Sequence, residues 1–285
     1  MENSATREVQ LEITASASIR TSTECRIYKV PYHLRKWNQE AYTPQVISIG
    51  PIHHGNNKFQ TMEKHKLRCF ESLKQRTGIT LENFQRDIRQ VGNSIRQCYV
   101  ETVVDLGSDD FVKMIMLDAS FILELFLKFN SECWPRDDPL LVEAWLLDAV
   151  SCDLLLLENQ LPFFVIQMLF NLAFPSGLND SSLIHLTFDF FKPLNNYDRT
   201  PIPKEEIKYF TDLLRTFQLP ASLPARGDVL AFLKYSATKL HDTGVKFKKA
   251  TTTSILDLDF KNGELKIPTL TFEDGMEDLV RNIMA

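Results

Sequence analysis

The stretch FVKMIMLDASFILELFLKF, Phe111 to Phe129, limits the fold of this 285-residue chain more than any other. It is apolar on nearly every face, so as a helix it has no side to turn toward water and has to be surrounded by other helices. Asp118 is its anomaly, a carboxylate in an otherwise apolar run. Neighbours for such a helix are legible on both sides. Between Leu81 and Cys98 the apolar residues Leu81, Phe84, Ile88, Val91, Ile95 and Cys98 alternate spacings of three and four, the stripe of an amphipathic helix. DPLLVEAWLLDAVSCDLLLLENQLPFFVIQMLF is expected to form two apolar helices, because Pro162 suits the first turn of a new helix and not the interior of an old one. The Glu158-Asn159-Gln160 corner lies at that break.

Around this centre the chain divides by composition. Residues 1–24 are polar and expected to be a mobile arm; RIYKVP and QVISIGP read as two short extended pieces around a helix-like YHLRKWNQE. Residues 25–191 form the expected helical body, and KPLNNYDRTPIP, residues 192–203, is rich in proline and turn formers and reads as a linker. Residues 204–285 make a smaller C-terminal part expected to pack on the body. It contains ILDLDFKNGELKIP, where a two-residue Asn262-Gly263 turn suits a type I′ hairpin. That register sets Phe260 against Leu265, Asp259 against Lys266 and Leu258 against Ile267, apolar facing apolar and opposite charges meeting. The expected fold is mainly α: a multi-helix body, a small C-terminal β-hairpin element and short extended segments near the N-terminus.

Composition removes several function classes. A net charge of -5 with no lysine- or arginine-rich block argues against a nucleic-acid partner, which needs a basic surface. Five widely spread cysteines, Cys25, Cys69, Cys98, Cys133 and Cys152, have no CxxC or CxH spacing and suit a reducing compartment. No uninterrupted apolar stretch stands behind a basic start, as a secretory signal requires. The best membrane-span candidate, Asn159 to Asn179, has an apolar centre, LPFFVIQMLFNLAF, short of the ~20 residues needed to cross a bilayer. It reads as a buried core helix, and the chain as given is expected to be soluble and cytoplasmic. GxSxG, GxxxxGK[ST] and GxGxxG are all absent, and no cofactor is expected.

The chemical candidates are histidines and acids. SIGPIHHGNNKFQTMEKHK holds His53, His54 and His65, half of the chain's six histidines, with Glu63 among them. At ~100° per residue Glu63 and His65 diverge on a helix, and adjacent His53 and His54 point apart if extended, so a shared metal ion is not expected. SIGPIHHGNN reads as a turn, with a histidine bonding nearby carbonyls. Asp118, Asp148, Asp153 and Glu158 stand in apolar helices, where an unpaired carboxylate is costly. Structural pairing, as a helix cap at Asp153 or a bond to Arg or His, is weighed against acid–base work in a hydrolase-like enzyme that uses His53 or His54 with Asp118 or Glu158.

IYKVPYHLRKWNQEAYTPQVISIGPIHHG, MEKHK, MLDASFILELF with DLLLLENQLPFF, and SATKLHDTGVKFKKATTTSILDLDFKNGELKIPTLTF, in this order, resemble the plant family known as domain of unknown function 247. The resemblance runs from about Arg26 to the C-terminus. It makes Gly50, Pro51, His53, His54, Gly55, Glu63, His65, Asp118, Asp153, Glu158, Asn159, Gln160 and Pro162 signature positions of unassigned role. The family implies a largely helical protein, commonly held at the plasma membrane by a C-terminal hydrophobic segment that this sequence does not contain. One branch is associated with self-incompatibility in grasses. Together these imply a non-enzymatic interaction or signalling protein with a protein partner.

Overall fold

The computed structural model describes residues 25–100, 106–175, 177–178, 182–195, 207–218, 235–251, 258–269 and 275–284. The arm expected over 1–24, and the linker beyond Asn195, lie outside them. In chain order the helices are α1 (Tyr32–Arg35), α2 (Gln60–Thr77), α3 (Leu81–Gln97), α4 (Ser108–Ser131), α5 (Pro139–Val142), α6 (Ala144–Asp153), α7 (Phe163–Ala173), α8 (Leu183–Phe190), α9 (Phe210–Gln218), α10 (Ala237–Asp242) and α11 (Met276–Met284). The strands are β1 (Ile27–Tyr28), β2 (Tyr99–Val100), β3 (Lys246–Lys249), β4 (Asp259–Lys261) and β5 (Glu264–Ile267). The fold is mainly helical, as the patterning requires.

Helix α4 is the axis. Every residue from Phe111 to Lys128 except Lys113 is buried, and α2, α3, α7 and α8 pack around it. Helix α3 turns the stripe Phe84, Ile88, Val91 and Ile95 into this core and starts at Thr80, whose hydroxyl accepts from the Asn83 N–H at 3.3 Å. Helix α2 ends at Gly78, whose φ of 71° is the left-handed stop that glycine adopts at little cost. Each fully buried Leu or Phe adds roughly 1.5–3 kcal/mol of transfer free energy. Residues beyond the expected linker share this core: the Phe126 ring lies 5.6 Å from Phe210, centre to centre, and Leu213, Leu214, Phe217 and Ile283 pack into the same cluster.

The Asn262-Gly263 turn forms as expected, with φ of 53° and 77°. Asp259 pairs with Lys266 and Phe260 with Leu265, and the Lys266 and Asp259 charges meet at 4.0 Å. Lys261 pairs with Glu264 in the same register, and the one expected pair not formed is Leu258 with Ile267, because β4 begins at Asp259. A third strand was not read from the sequence. β3 joins β5 in parallel, giving the order β3-β5-β4.

Three local expectations are corrected. DPLLVEAWLLDAVSCDLLLLENQLPFFVIQMLF forms three helices, α5, α6 and α7, and Pro162 sits one residue before α7 instead of inside its first turn. YHLRKWNQE is helical only over Tyr32–Arg35, followed by a 3-10 turn at Glu40–Tyr42. QVISIG forms no strand. α7 is a buried core helix, with Val165, Ile166 and Leu169 enclosed, and no helix among the described residues is long and apolar enough to cross a membrane.

Candidate functional site

The segment from Val30 to Gly50 lies over the body with backbone N–H groups that neither helix nor sheet satisfies, and buried donors need acceptors. Side chains from α4, the end of α6 and the loop before α7 supply them. Asp153 takes three: Gln45 N–H on one oxygen at 2.7 Å, and Val46 and Ile47 on the other at 2.7 and 2.8 Å. Asn159 accepts from Ile49 at 2.6 Å, Asp118 from Gly50 at 2.8 Å, and Glu158 from Val30 at 2.7 Å. The absence of a strand at QVISIG has this cause: its partner is a row of side chains.

The choice of acid or amide follows from donor count. Asn159 lies between donors and acceptors, so its amide nitrogen bonds Ile47 O at 3.0 Å and Asp153 O at 2.9 Å while its oxygen accepts. Gln160 works the same way: its nitrogen bonds Leu154 O and Leu156 O, and its oxygen accepts from Phe210 N–H at 2.9 Å, tying α9 to the loop. From the other end of the chain Asn282 accepts from Leu157 N–H and donates to Ala41 O, both at 2.8 Å. Asp153 therefore does not cap a helix, and Asp148 is exposed and needs no partner.

Burial pushes the Asp153 carboxyl up to about 6, against the three N–H donors that pull it down. The ordinary aspartate value is ~3.9. The folded state therefore holds this proton more tightly than the unfolded chain, so the group favours folding below pH ~4, and that contribution is lost as pH rises through 6. A carboxyl NMR titration of the folded protein is expected to place the Asp153 midpoint near 6 and to lose it in Asp153→Asn; an ordinary midpoint would contradict this balance.

The histidine stretch is a turn, with Gly50 at φ 72° and Gly55 at φ 80°. Pro51 is buried, while His54 and Gly55 lie at the rim. His53 does not bond a carbonyl as expected. Its Nε2 stands 3.2 Å from Glu158 Oε2, and Arg35 closes on both oxygens of the same carboxylate while bonding Thr43 at 3.0 Å. Burial raises the Glu158 pKa, but the His53, Arg35 and Val30 donors outweigh it and hold the carboxyl below its ordinary value.

Glu63 and His65 diverge as their spacing requires. Glu63 reaches Lys66, whose ammonium is wholly enclosed and also meets Asp118 Oδ1 at 2.6 Å and Ser48 O at 2.5 Å. Burial lowers the Lys66 pKa, and the two carboxylates more than reverse that, keeping the ammonium charged. His65 turns inward: its Nε2 is 3.7 Å from Asp138, its ring meets Phe121 edge-on, and burial holds its pKa below the ordinary value. Asp138 in turn pairs with Lys128 at 2.8 Å. Among the described residues no three His, Cys, Asp or Glu side chains converge to hold a metal ion.

Of the signature positions, Gly50, His53, Asp118, Asp153, Glu158, Asn159 and Gln160 gather along one seam, Glu63 joins through Lys66, and His65 lies apart. Lys66, Arg35 and Asn282 were not picked out from sequence. Lys66 did carry a signal, standing three residues after Glu63 in MEKHK.

A family model described as a plant protein of unknown function, DUF247, matches residues 27–285, which contain every residue of this seam. The chain belongs to the DUF247 family. A UPF0481 protein of Arabidopsis thaliana is similar at 30% identity over 298 residues, covering 92% of this DUF247 chain and 60% of the relative. A second UPF0481 protein of that plant is 27% identical over 142 residues, 50% of this chain and 26% of the relative. The chain thus spans about 60% of the length of the first of these curated relatives. No solved structure matches it.

Proposed function

We propose that this chain is a non-enzymatic plant interaction or signalling protein, in which the signature seam fixes the Val30–Gly50 segment so that its outer side can meet a protein partner. The observation that carries this reading is that the oxygens of Asp153, Glu158 and Asn159 are committed to backbone N–H groups, Arg35 or His53. Groups held in that way fix a backbone and are poorly placed for acid–base work. On the outer side of the same segment Tyr32 is 81% exposed and Trp37 75%, two residue types enriched in the energetic centres of interfaces. In this reading the protein works at the plasma membrane, where its family resemblance places it, and the self-incompatibility of some grass relatives is one instance of such recognition. Affinity purification from plant tissue is expected to recover the same partner reproducibly with the natural chain and to lose it with Tyr32→Ser/Trp37→Ser. Recovery of no reproducible partner overturns the reading.

A second reading rests on one distance, the 3.2 Å between His53 Nε2 and Glu158 Oε2, which is within reach for a hydrolase-like pair. Against it stand the Arg35 and Val30 donors on the same carboxylate. Hydrolysis of an activated ester above background, abolished in His53→Ala at unchanged melting temperature, would favour it.

A further inference from the structure

The geometry points to a second binding site, for a small aromatic anion, in the pocket where β1 meets the start of α9. Its volume is about 190 Å³. Tyr28 of β1 and Arg26, the residue before the strand, line it, two residues apart and both exposed, while Ile27 between them is buried in the core. Tyr209 and Arg215 line it from α9 and the residue before it, and Val30 and Leu157 give it an apolar wall. Val30 meets the seam through its N–H on Glu158, but the ligand-facing groups Arg26, Tyr28, Tyr209 and Arg215 are none of the seam's acids and amides, so the inference does not rest on the proposed function. A ligand here and a partner at Trp37 are separate outcomes.

Charge selects the sign of the ligand. Two guanidinium groups line the pocket and no lining residue is acidic. The acids next to this lining are already engaged: Asp212 accepts the Lys208 N–H at 3.2 Å, and Glu158 accepts the Val30 N–H at 2.7 Å and is paired with Arg35. Arg215 is oriented by its Nε–H, which bonds Ile283 O at 3.0 Å and fixes the plane of the group that faces the pocket. Arg26 makes no ion pair among the described residues. A planar guanidinium matches a carboxylate or phosphate with paired donors and also stacks on rings. The tyrosines set the body of the ligand, since phenol rings offer rigid apolar faces with a polar edge. Volume sets its size: drug-sized sites occupy roughly 300–1,000 Å³, so this pocket takes one ring and its anionic group.

Calorimetric titration of residues 1–285 with phenyl phosphate, benzoate, inorganic phosphate and benzamide tests the assignment. Saturable binding is expected for phenyl phosphate or benzoate, at least tenfold tighter than for inorganic phosphate, which lacks the ring, and for benzamide, which lacks the charge. Arg26→Gln is expected to weaken binding about tenfold at an unchanged melting temperature, because Arg26 is exposed. Arg215→Gln should weaken it similarly, and Arg26→Gln keeps the test decisive if loss of the Ile283 bond perturbs folding. The assignment is overturned by any of three results: no saturable binding of either aromatic anion, equal binding in Arg26→Gln, or inorganic phosphate or benzamide binding as tightly as the aromatic anions.

Discussion

Replacing Lys66 with methionine is expected to destabilise the fold by about 3–5 kcal/mol, the cost of removing one partner from a buried ion pair. The reason is geometric. Lys66 is wholly enclosed and meets Asp118, Glu63 and Ser48 O within 2.6 Å, while Asp118 is itself buried in α4. Without the ammonium, Asp118 keeps the Gly50 N–H at 2.8 Å as its remaining donor and carries an uncompensated charge into the core. Urea denaturation should show a lower midpoint at unchanged slope. In Lys66→Met/Asp118→Asn the charge is gone and an amide oxygen can still accept from Gly50, so at least half of the loss should return. A loss below about 1 kcal/mol for Lys66→Met alone would remove the claim that this pair is needed.

The second large effect is at a glycine. A Cβ on Gly50 would stand 2.5 Å from Gln160 O and 3.1 Å from the Tyr99 hydroxyl, and the residue sits at φ +72°. Neither obstacle can step aside freely, because Tyr99 donates its hydroxyl to that same carbonyl at 2.9 Å. The left-handed backbone costs an L-residue about 1–2 kcal/mol, and overpacking adds about 1–3. Gly50→Ala is therefore expected to lose about 3 kcal/mol or more, or to yield no soluble fold. Gly55→Ala is the control, since Gly55 has φ +80° but nothing within 4 Å of its Cβ, and should lose only about 1 kcal/mol. Equal losses at the two positions in thermal melts would show that the approach to Gln160 carries no weight.

These two effects explain why the signature could be seen but not interpreted from the chain alone. GPIHHG and ENQLP lie about a hundred residues apart, and each looks like an ordinary turn. Only in three dimensions does Asn159 reach Ile49, or Glu158 reach Val30 and Arg35. The expectation that buried acids need partners was sound. The expected Arg or His partner is found for Glu158, in Arg35 and His53, but not for Asp153, which serves backbone N–H groups, or Asp118, which meets a lysine. Glu124 and Lys128 went unremarked in the same apolar helix, although both are buried and held by charges, Arg76 at 2.9 Å and Asp138 at 2.8 Å.

Helix α4, the stripe on α3 and the β4-β5 hairpin were legible because their causes are local: side-chain period, caps and a turn that needs two positive φ angles. The parallel addition of β3 was not, because its partner β5 is brought to it by the fold and no adjacent turn announces it. The sequence by itself determined the helical class, the central helix and the hairpin register. Tertiary structure alone decided that QVISIG pairs with side chains instead of a strand, which buried polar groups match, and where Arg26 and Arg215 face one pocket. The physical reason is that a hydrogen bond or ion pair between distant residues leaves no periodic trace in the sequence, whereas a buried face repeats with every turn of the backbone.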